Sequence, residues 1–234
     1  MNRMGTIEPG RYSGARALVL GASGFIGRWV TKGLEDLRAT VLPVVRDARS
    51  TAGMFRDYGI ESEPIELDLI DTDRVEKTLS DLKPSIVFNL AGYGIDRSER
   101  NEQTAELIND RLIGTILQSI ADTPSWSGRR LVHVGSALEY GTAGGNLDES
   151  TRPEPTTLYG RTKLAGTERL MKICRDTGIP ALTARLFTIY GPGEHPGRLL
   201  PALIETSRTG RPLELPDGRQ LRDFTYVEDA AEGL

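Results

Sequence analysis

"RALVLGASGFIGRWV", residues 16–30, is the stretch whose reading decides the fold. Arg16 to Leu20 is a short β-type run in which four residues are apolar. Gly21, Gly24 and Gly27 follow at intervals of three, and they lead straight into apolar residues at helical spacing. A strand, a glycine-rich turn and a helix in that order open a βαβ unit. Gly21 permits the tight turn. Gly24 leaves the helix N-terminus bare, so an anion can approach its free N–H groups. Gly27 lets helix and strand pack closely. The stretch predicts a dinucleotide pyrophosphate at this helix end, with Ser23, Phe25 and Ile26 lining the same turn.

The rest of the chain repeats the alternation. Residues 40–46 (TVLPVVR) form a second strand, with Pro43 expected at an irregular point. Residues 48–59 are helix or loop. A third short strand lies between Glu61 and Leu69, and a helix capped by Asp71 or Thr72 follows. The fourth strand is 84–92, then one long helix over 104–122, then a fifth strand, 130–136. A second long helix covers 157–178 and stops at Gly178, and the sixth strand is 179–187. Nearly continuous apolar strands alternating with helices predict an α/β fold, a doubly wound parallel (Rossmann) sheet covered on both faces. After Phe187 the texture turns rich in Gly and Pro. We expect residues 1–187 to be the dinucleotide-binding domain and 188–234 to be part of a substrate-binding region. That region stops on the opening turn of a helix, so the natural protein is expected to run past Leu234.

Composition narrows the class of partner. With 38% hydrophobic and 26% charged residues among 234, the chain can build an ordinary core. The net charge of -4 is mixed along the chain, without the basic stripe of a nucleic-acid binder. Cys174 is the single cysteine, which rules out an intrachain disulfide and makes a reducing cytoplasm the default. No apolar run approaches the ~20 residues a bilayer requires, and the start has no signal-length apolar stretch, so no membrane is expected.

The G-x-x-G-x-x-G spacing of GASGFIG differs from the G-x-G-x-x-G of ordinary dehydrogenases. It resembles the extended short-chain dehydrogenase/reductase family of NAD(P)-dependent sugar-nucleotide epimerases, dehydratases and ketoreductases, and the likeness covers residues 16 to 230. The resemblance implies that Asp68 meets the adenine amino group and Leu69 packs on its ring. It also implies that Leu90, Ala91 and Gly92 line the cofactor. Ser136 precedes Tyr140 by the family's S-x-x-x-Y-G spacing. Tyr159 and Lys163 share a helix face at i and i+4. The resemblance makes them the proton donor and a lysine that lowers its pKa from ~10 while also holding the nicotinamide ribose. Arg185, Tyr190, Gly191 and Pro192 match R-x-x-N-x-Y-G-P, with Thr188 in place of the asparagine. Residues 218–229 resemble G-x-Q-x-R-D-F-x-Y-V-x-D. Arg222 and Arg198 are the expected contacts to a substrate diphosphate, and Tyr93 and Thr188 are counted on the substrate side. His133 reads as a packed strand residue and His195 as a surface loop residue. In the helix after strand four, Arg111 stands where relatives carry the asparagine of N-x-x-G-T, with Asn109 nearby.

Two departures select a reaction. NAD-binding domains place an acid at the end of strand two, and here Val45 occupies that place. Arg46 follows and can meet a 2′-phosphate, with Arg49 in support, while Asp47 is the counter-indication. NADP is therefore the first choice of cofactor and NAD the second. The family's dehydratases carry an Asp-Glu pair after the serine or threonine, whereas Ala137 and Leu138 follow Ser136 here and move no proton. Glu139 reads as a solvated charge. The resulting expectation is NADPH-dependent reduction of a 4-keto sugar nucleotide of the NDP-4-keto-6-deoxyhexose type. An NAD-dependent sugar-nucleotide 4-epimerase is the alternative, and so are a reductase of a non-sugar ketone and, from another class, a non-catalytic NADP-binding protein. No metal is expected. A homodimer through the helices after strands four and five is the family habit.

Overall fold

Every residue of the first strand, β1 (Arg16–Leu20), is buried after Arg16, as a strand covered on both faces requires. The computed structural model describes residues 10–95, 99–123, 125–126, 128–215, 217–219 and 221–234. The strands that follow are β2 (Thr40–Val45), β3 (Ile65–Glu66), β4 (Ile86–Asn89), β5 (Leu131–Ser136) and β6 (Ala181–Leu186). They pair in parallel in the order β3-β2-β1-β4-β5-β6. The order reverses between β1 and β4, and the crevice at the strands' carboxyl ends opens there.

Helices cover both faces. On one side Leu18, Leu20, Val87 and Leu131 of the sheet pack with Leu79, Ile116 and Leu170. Those three come from α3 (Thr72–Leu82), α5 (Leu112–Ala121) and α6 (Leu158–Thr177). On the other side Ala17, Val19, Phe88 and Val132 pack with Val30, Leu34 and Phe55. These belong to α1 (Phe25–Asp36) and α2 (Ala48–Asp57). Adjacent residues of each strand thus feed opposite cores, which accounts for the unbroken apolar runs. The chain after β6 forms β7 (Thr188–Tyr190), α7 (Leu199–Thr209), β8 (Phe224–Tyr226) and α8 (Val227–Gly233). β7 and β8 pair in parallel as a separate two-stranded sheet. Ala231 of α8 packs onto the α1 side of the core. Among the described residues, no helix is long and apolar enough to cross a membrane.

Four local expectations need correction or sharpening. Pro43 is a regular position of β2, opposite Val19. The amides of Thr40 and neighbouring even residues point toward β1, so the missing N–H of Pro43 faces the other side, where β3 begins only opposite Val44. Residues 48–57 are helical because Asp47 caps them, its carboxylate accepting the Ser50 amide at 3.0 Å. Of the two candidate caps for α3, Asp71 serves, accepting the Arg74 amide. The long helix after β4 is not uniform: α4 (Glu102–Glu106) passes through a π-helical turn (Leu107–Arg111) before α5.

Candidate active site

The glycine turn has the shape expected of an anion cradle. Gly21 has φ +79°, a left-handed conformation that favours glycine. A Cβ on Gly27 would lie 2.1 Å from the Gly21 carbonyl oxygen, so helix and turn meet at a distance only glycine allows. Gly24 caps α1 without a side-chain bond to its first amides. Those N–H groups, at the positive end of a helix of 12 residues, are left for a ligand. Arg28 braces the turn from below, donating to the carbonyls of Gly24 and Ser23. Phe25 and Ile26 are half-buried on the first turn of α1. This geometry fits a dinucleotide pyrophosphate.

At the end of β2, Val45 is buried and Arg46 is exposed. Asp47 spends its carboxylate on the Ser50 amide, and that bond holds it below its usual pKa. It is engaged as a helix cap rather than turned toward Arg46's surroundings. Sequence reasoning did not foresee Glu66, whose carboxylate reaches from β3 and accepts the Ala48 amide at 3.0 Å. Asp68 is exposed and accepts the Ile70 amide at 3.1 Å, while Leu69 is half-buried against the core.

At the carboxyl ends of β4 and β5 three motifs converge. Lys163 is 1% exposed, and its Nζ donates to the carbonyls of Ala91 and Val134, each at 3.0 Å. A Cβ on Gly92 would lie 3.4 Å from Lys163 Nζ and 3.6 Å from Tyr159 Oη. The stretch Leu90–Gly92 and the Tyr159–Lys163 pair therefore form one wall. Ser136 ends β5, is buried, and its Oγ accepts the Leu138 amide at 3.2 Å. The Ala137–Glu139 turn after it docks on α6 at Gly160, where a Cβ would lie 2.4 Å from the Leu138 carbonyl oxygen. That contact docks the turn following Ser136 on α6 one residue after Tyr159.

In this structure the Tyr159 hydroxyl is shifted upward, where the resemblance implies a lowering. Burial pushes the Tyr159 hydroxyl up to about 12; the Glu139 and Glu99 carboxylates push the same way, and only Arg198 opposes. The Lys163 ammonium donates to two backbone carbonyls and sits 5.9 Å from the phenol ring centre. Burial brings Lys163 itself down to about 8, against the pull of Glu139. Buried His133 in β5 is held well below its ordinary value by burial and by Lys163, and it bonds Asn89 at 3.2 Å.

Two residues of this region were misread or passed over. Glu139 is not solvated: it is 0% exposed, accepts the Ser136 amide at 2.9 Å and pairs with Arg185 at 2.7 Å. Its signal was present in the S-x-x-E pattern of a capping box, Ser136 to Glu139. Asn109, close to Arg111 in the chain, makes a bridging set of contacts here. From the π-helical turn its amide group accepts the Tyr93 amide at 3.0 Å and donates to the Tyr93 carbonyl at 2.7 Å and to Thr162 Oγ1 at 2.9 Å. It thereby ties the segment after β4 to α6.

Of the residues expected on the substrate side, Tyr93 is half-buried with its backbone clamped in this way. Thr188 opens β7, where its amide donates to the Asp223 carbonyl. Arg198 is exposed at the start of α7, close enough for its charge to be felt at Tyr159. Arg222 is exposed just before β8, and its guanidinium donates to the Leu221 carbonyl. No described contact joins Arg222 to Ser136, Tyr159 or Lys163. His195 lies exposed in the loop before α7.

Comparison with known proteins places the chain. Residues 17–234 match the model of the NAD dependent epimerase/dehydratase family. A dTDP-glucose 4,6-dehydratase of Xanthomonas campestris pv. campestris is 27% identical over 93% of this chain and 66% of its own length. A dTDP-6-deoxy-L-talose 4-dehydrogenase (NAD(P)(+)) of Kitasatospora kifunensis is 30% identical over 94% of this chain and 69% of its own. Among solved structures, UDP-glucuronic acid 4-epimerase from Bacillus cereus, in complex with UDP-glucuronic acid and NAD, superposes with a TM-score of 0.79 at 27% identity. That match covers 92% of this chain and 70% of the epimerase. The chain thus spans about two thirds of the length of the relatives it matches. The resemblance carried by the glycine turn and the Tyr159–Lys163 pair is borne out: this chain belongs to the NAD dependent epimerase/dehydratase family.

Proposed function

We propose that this chain is the larger part of an NAD(P)-dependent enzyme that acts on sugar nucleotides, and that it reduces a 4-keto sugar nucleotide with NADPH. In this reading residues 1–187 bind the dinucleotide and 188–234 contribute to the sugar-nucleotide side. The observation that carries it is the meeting of Gly92, Tyr159 and Lys163 beside the end of β5, where Ser136 stands. The dehydratase relatives' reaction is not carried over. Ala137 and Leu138 after Ser136 have no group that can take a proton from carbon and give one to a leaving hydroxyl. The talose relative, whose name describes a 4-dehydrogenase with NAD(P)(+), supports redox chemistry at one carbon.

The glycine turn would hold the pyrophosphate, with Leu90, Ala91 and Gly92 along the dinucleotide. Arg46 would meet a 2′-phosphate, since Val45 is apolar and Asp47 is spent on Ser50. When bound, NADPH supplies hydride. Tyr159, kept neutral by burial, holds a proton at Oη and releases it to the sugar carbonyl oxygen. Ser136 Oγ donates a hydrogen bond to that same oxygen. Lys163 has three donors and gives two to Ala91 and Val134; the third would be available to the ribose. Arg198 and Arg222 supply positive charge to the diphosphate, with Tyr93 and Thr188 on the sugar side. Two copies would pair through α5 and α6.

The test is turnover of NDP-4-keto-6-deoxyhexoses by purified full-length protein with NADPH or NADH, followed at 340 nm. NADPH oxidation with formation of the 4-hydroxy sugar supports the reading. Arg46→Ala is expected to weaken NADP by about tenfold and to leave NAD within about twofold, as loss of one charge-assisted contact implies. A second reading, 4-epimerisation with NAD, is favoured by the NAD held in the Bacillus cereus epimerase. NAD released from the native protein, with sugar-nucleotide interconversion needing no added cofactor, would replace the first reading by the second.

A further inference from the structure

We propose that Glu139 is a positioning residue of this site: its carboxylate, paired with Arg185 and bonded to the Ser136 amide, holds the turn that carries Ser136 where it docks on α6 next to Tyr159, and lies against Gly135, the neighbour of the Val134 carbonyl that Lys163 bonds. The inference rests on the functional reading above for its effect on turnover, but its geometry stands apart from any substrate.

Glu139 is 0% exposed. A carboxylate taken wholly out of water is strongly disfavoured unless it is paired and hydrogen-bonded. Ending a three-residue turn does not require one. The surroundings are shaped to receive it. Oε1 accepts the Ser136 amide at 2.9 Å and Oε2 accepts from Arg185 Nε at 2.7 Å, so each oxygen has its own partner. A Cβ on Gly135 would lie 2.5 Å from Oε1, so the strand is stripped of a side chain where the carboxylate folds back. Arg185 reaches further, donating to Tyr140 Oη at 3.2 Å, with its guanidinium carbon 4.8 Å from the Tyr140 ring centre. Tyr140 Oη in turn donates to the Asp148 carbonyl at 2.9 Å.

The contacts form a chain from β6 to α6. Arg185 fixes Glu139, and Glu139 fixes the backbone of Ser136. Ser136 Oγ returns a bond to the Leu138 amide, and the Leu138 carbonyl abuts Gly160, the neighbour of Tyr159. Removing the carboxylate frees the turn that carries Ser136, and it leaves the half-buried Arg185 against Tyr140 without its counter-charge. The groups facing Glu139 are Arg185 on β6, Tyr140 on its own turn, and Tyr159 and Lys163 on α6. Glu99 and Arg198 act on Tyr159 from other segments, and neutral His133 lies on β5. Glu139's charge favours the protonated forms of both Tyr159 and Lys163.

The experiment compares Glu139→Gln, Glu139→Ala and the double variant Glu139→Gln/Arg185→Met with the parent chain. The double variant removes both charges and leaves neither buried alone, so it covers the case in which a single variant does not fold. Lys163 is followed by carbon NMR with lysine labelled at Cε. The chain has five lysines, and the Lys163 signal is the one missing from Lys163→Met. The expected result is a Lys163 titration midpoint at lower pH in Glu139→Gln and in the double variant. In turnover, Glu139→Ala is expected to lower kcat by about 10- to 100-fold, as misplacement of a reacting group by up to 1 Å implies, with the sugar-nucleotide KM within about threefold. Glu139→Gln is expected to lower kcat less than Glu139→Ala, because its amide oxygen can still accept the Ser136 amide while its NH2 group cannot accept from Arg185. An unmoved Lys163 midpoint in folded variants overturns the electrostatic half, and a kcat of Glu139→Ala within twofold of the parent overturns the positioning half. If the parent turns over no keto sugar nucleotide, the functional reading fails while the Lys163 titration still decides the electrostatic role of Glu139.

Discussion

Lys163 Nζ lies 3.0 Å from the carbonyl oxygen of Ala91, a hydrogen bond that joins the helix carrying Tyr159 to the loop that follows β4. The second bond, to Val134, joins the same ammonium to β5. One buried cation thus holds three elements of the crevice in register before any ligand enters. Its burial is also what makes it titrate near pH 8.

The pH dependence of stability follows from that shift. Lys163 has its folded pKa depressed from the ordinary 10.5 to about 8. Its contribution to stability is therefore present above the unfolded pKa and is lost as pH falls through about 8. Tyr159 runs the other way: raised from 10.0 to about 12, it contributes below the unfolded pKa and loses that contribution as pH climbs toward 12. Between pH 8 and 10 the Lys163 effect stands alone of the two. Urea denaturation at pH 8, 9 and 10 should show the parent chain gaining stability relative to Lys163→Met as pH rises. A constant difference over that range would mean that Lys163 keeps its ordinary pKa in the fold.

Tyr159→Phe removes one hydroxyl and little else from a half-buried side chain. Under the proposed function it should lower kcat by about 10²- to 10⁴-fold, the usual worth of a positioned general acid, while leaving dinucleotide affinity within a few-fold. Single-turnover measurement of hydride transfer, with dinucleotide binding measured separately, checks both halves. Loss of binding with unchanged hydride transfer would reassign Tyr159 to the cofactor side alone.

Gly27→Ala tests the cradle. The added Cβ meets the Gly21 carbonyl oxygen at 2.1 Å, and both partners are backbone, so α1 must shift. The strain expected of overpacking is about 1–3 kcal/mol, seen as a lowered melting temperature. Affinity for the dinucleotide should fall by more than tenfold, since the helix end moves away from its ligand. Calorimetry with and without dinucleotide separates the two effects.

Asn109→Ala is expected to be among the more damaging polar substitutions in this chain. It deprives the Tyr93 amide and carbonyl of their partners in one step. Each such group left unsatisfied costs about 1–3 kcal/mol, so a fall in the urea midpoint is predicted, with Asn109→Asp no better because it cannot donate to the Tyr93 carbonyl. A midpoint unchanged in both variants would show that water replaces the side chain there.

How much of this was legible beforehand depends on whether a signal is local. The glycine turn, the six strands and the spacing of Tyr159 and Lys163 are written in adjacent residues, and hydrophobic periodicity with backbone sterics reads them directly. Pro43 was misplaced because its tolerance depends on where β3 starts, which lies more than 20 residues away. Asn109 and Glu139 were missed for the same kind of reason. Nothing near Asn109 in sequence says that its partners are Tyr93 and Thr162. Nothing near Glu139 names Arg185, although the S-x-x-E pattern was there to be read.

By itself, then, the sequence determined the parallel α/β sheet, the glycine turn that opens α1 and the residues whose chemistry can carry a proton, because each rests on local geometry and residue chemistry. Only the tertiary structure decided their electrostatic state. Burial, set by packing of β4, β5 and α6 together, raises Tyr159, lowers Lys163 and converts Glu139 from a surface charge into a buried, paired one. Ionisation depends on the solvent and charges around a group, and those are assembled from segments far apart in the chain.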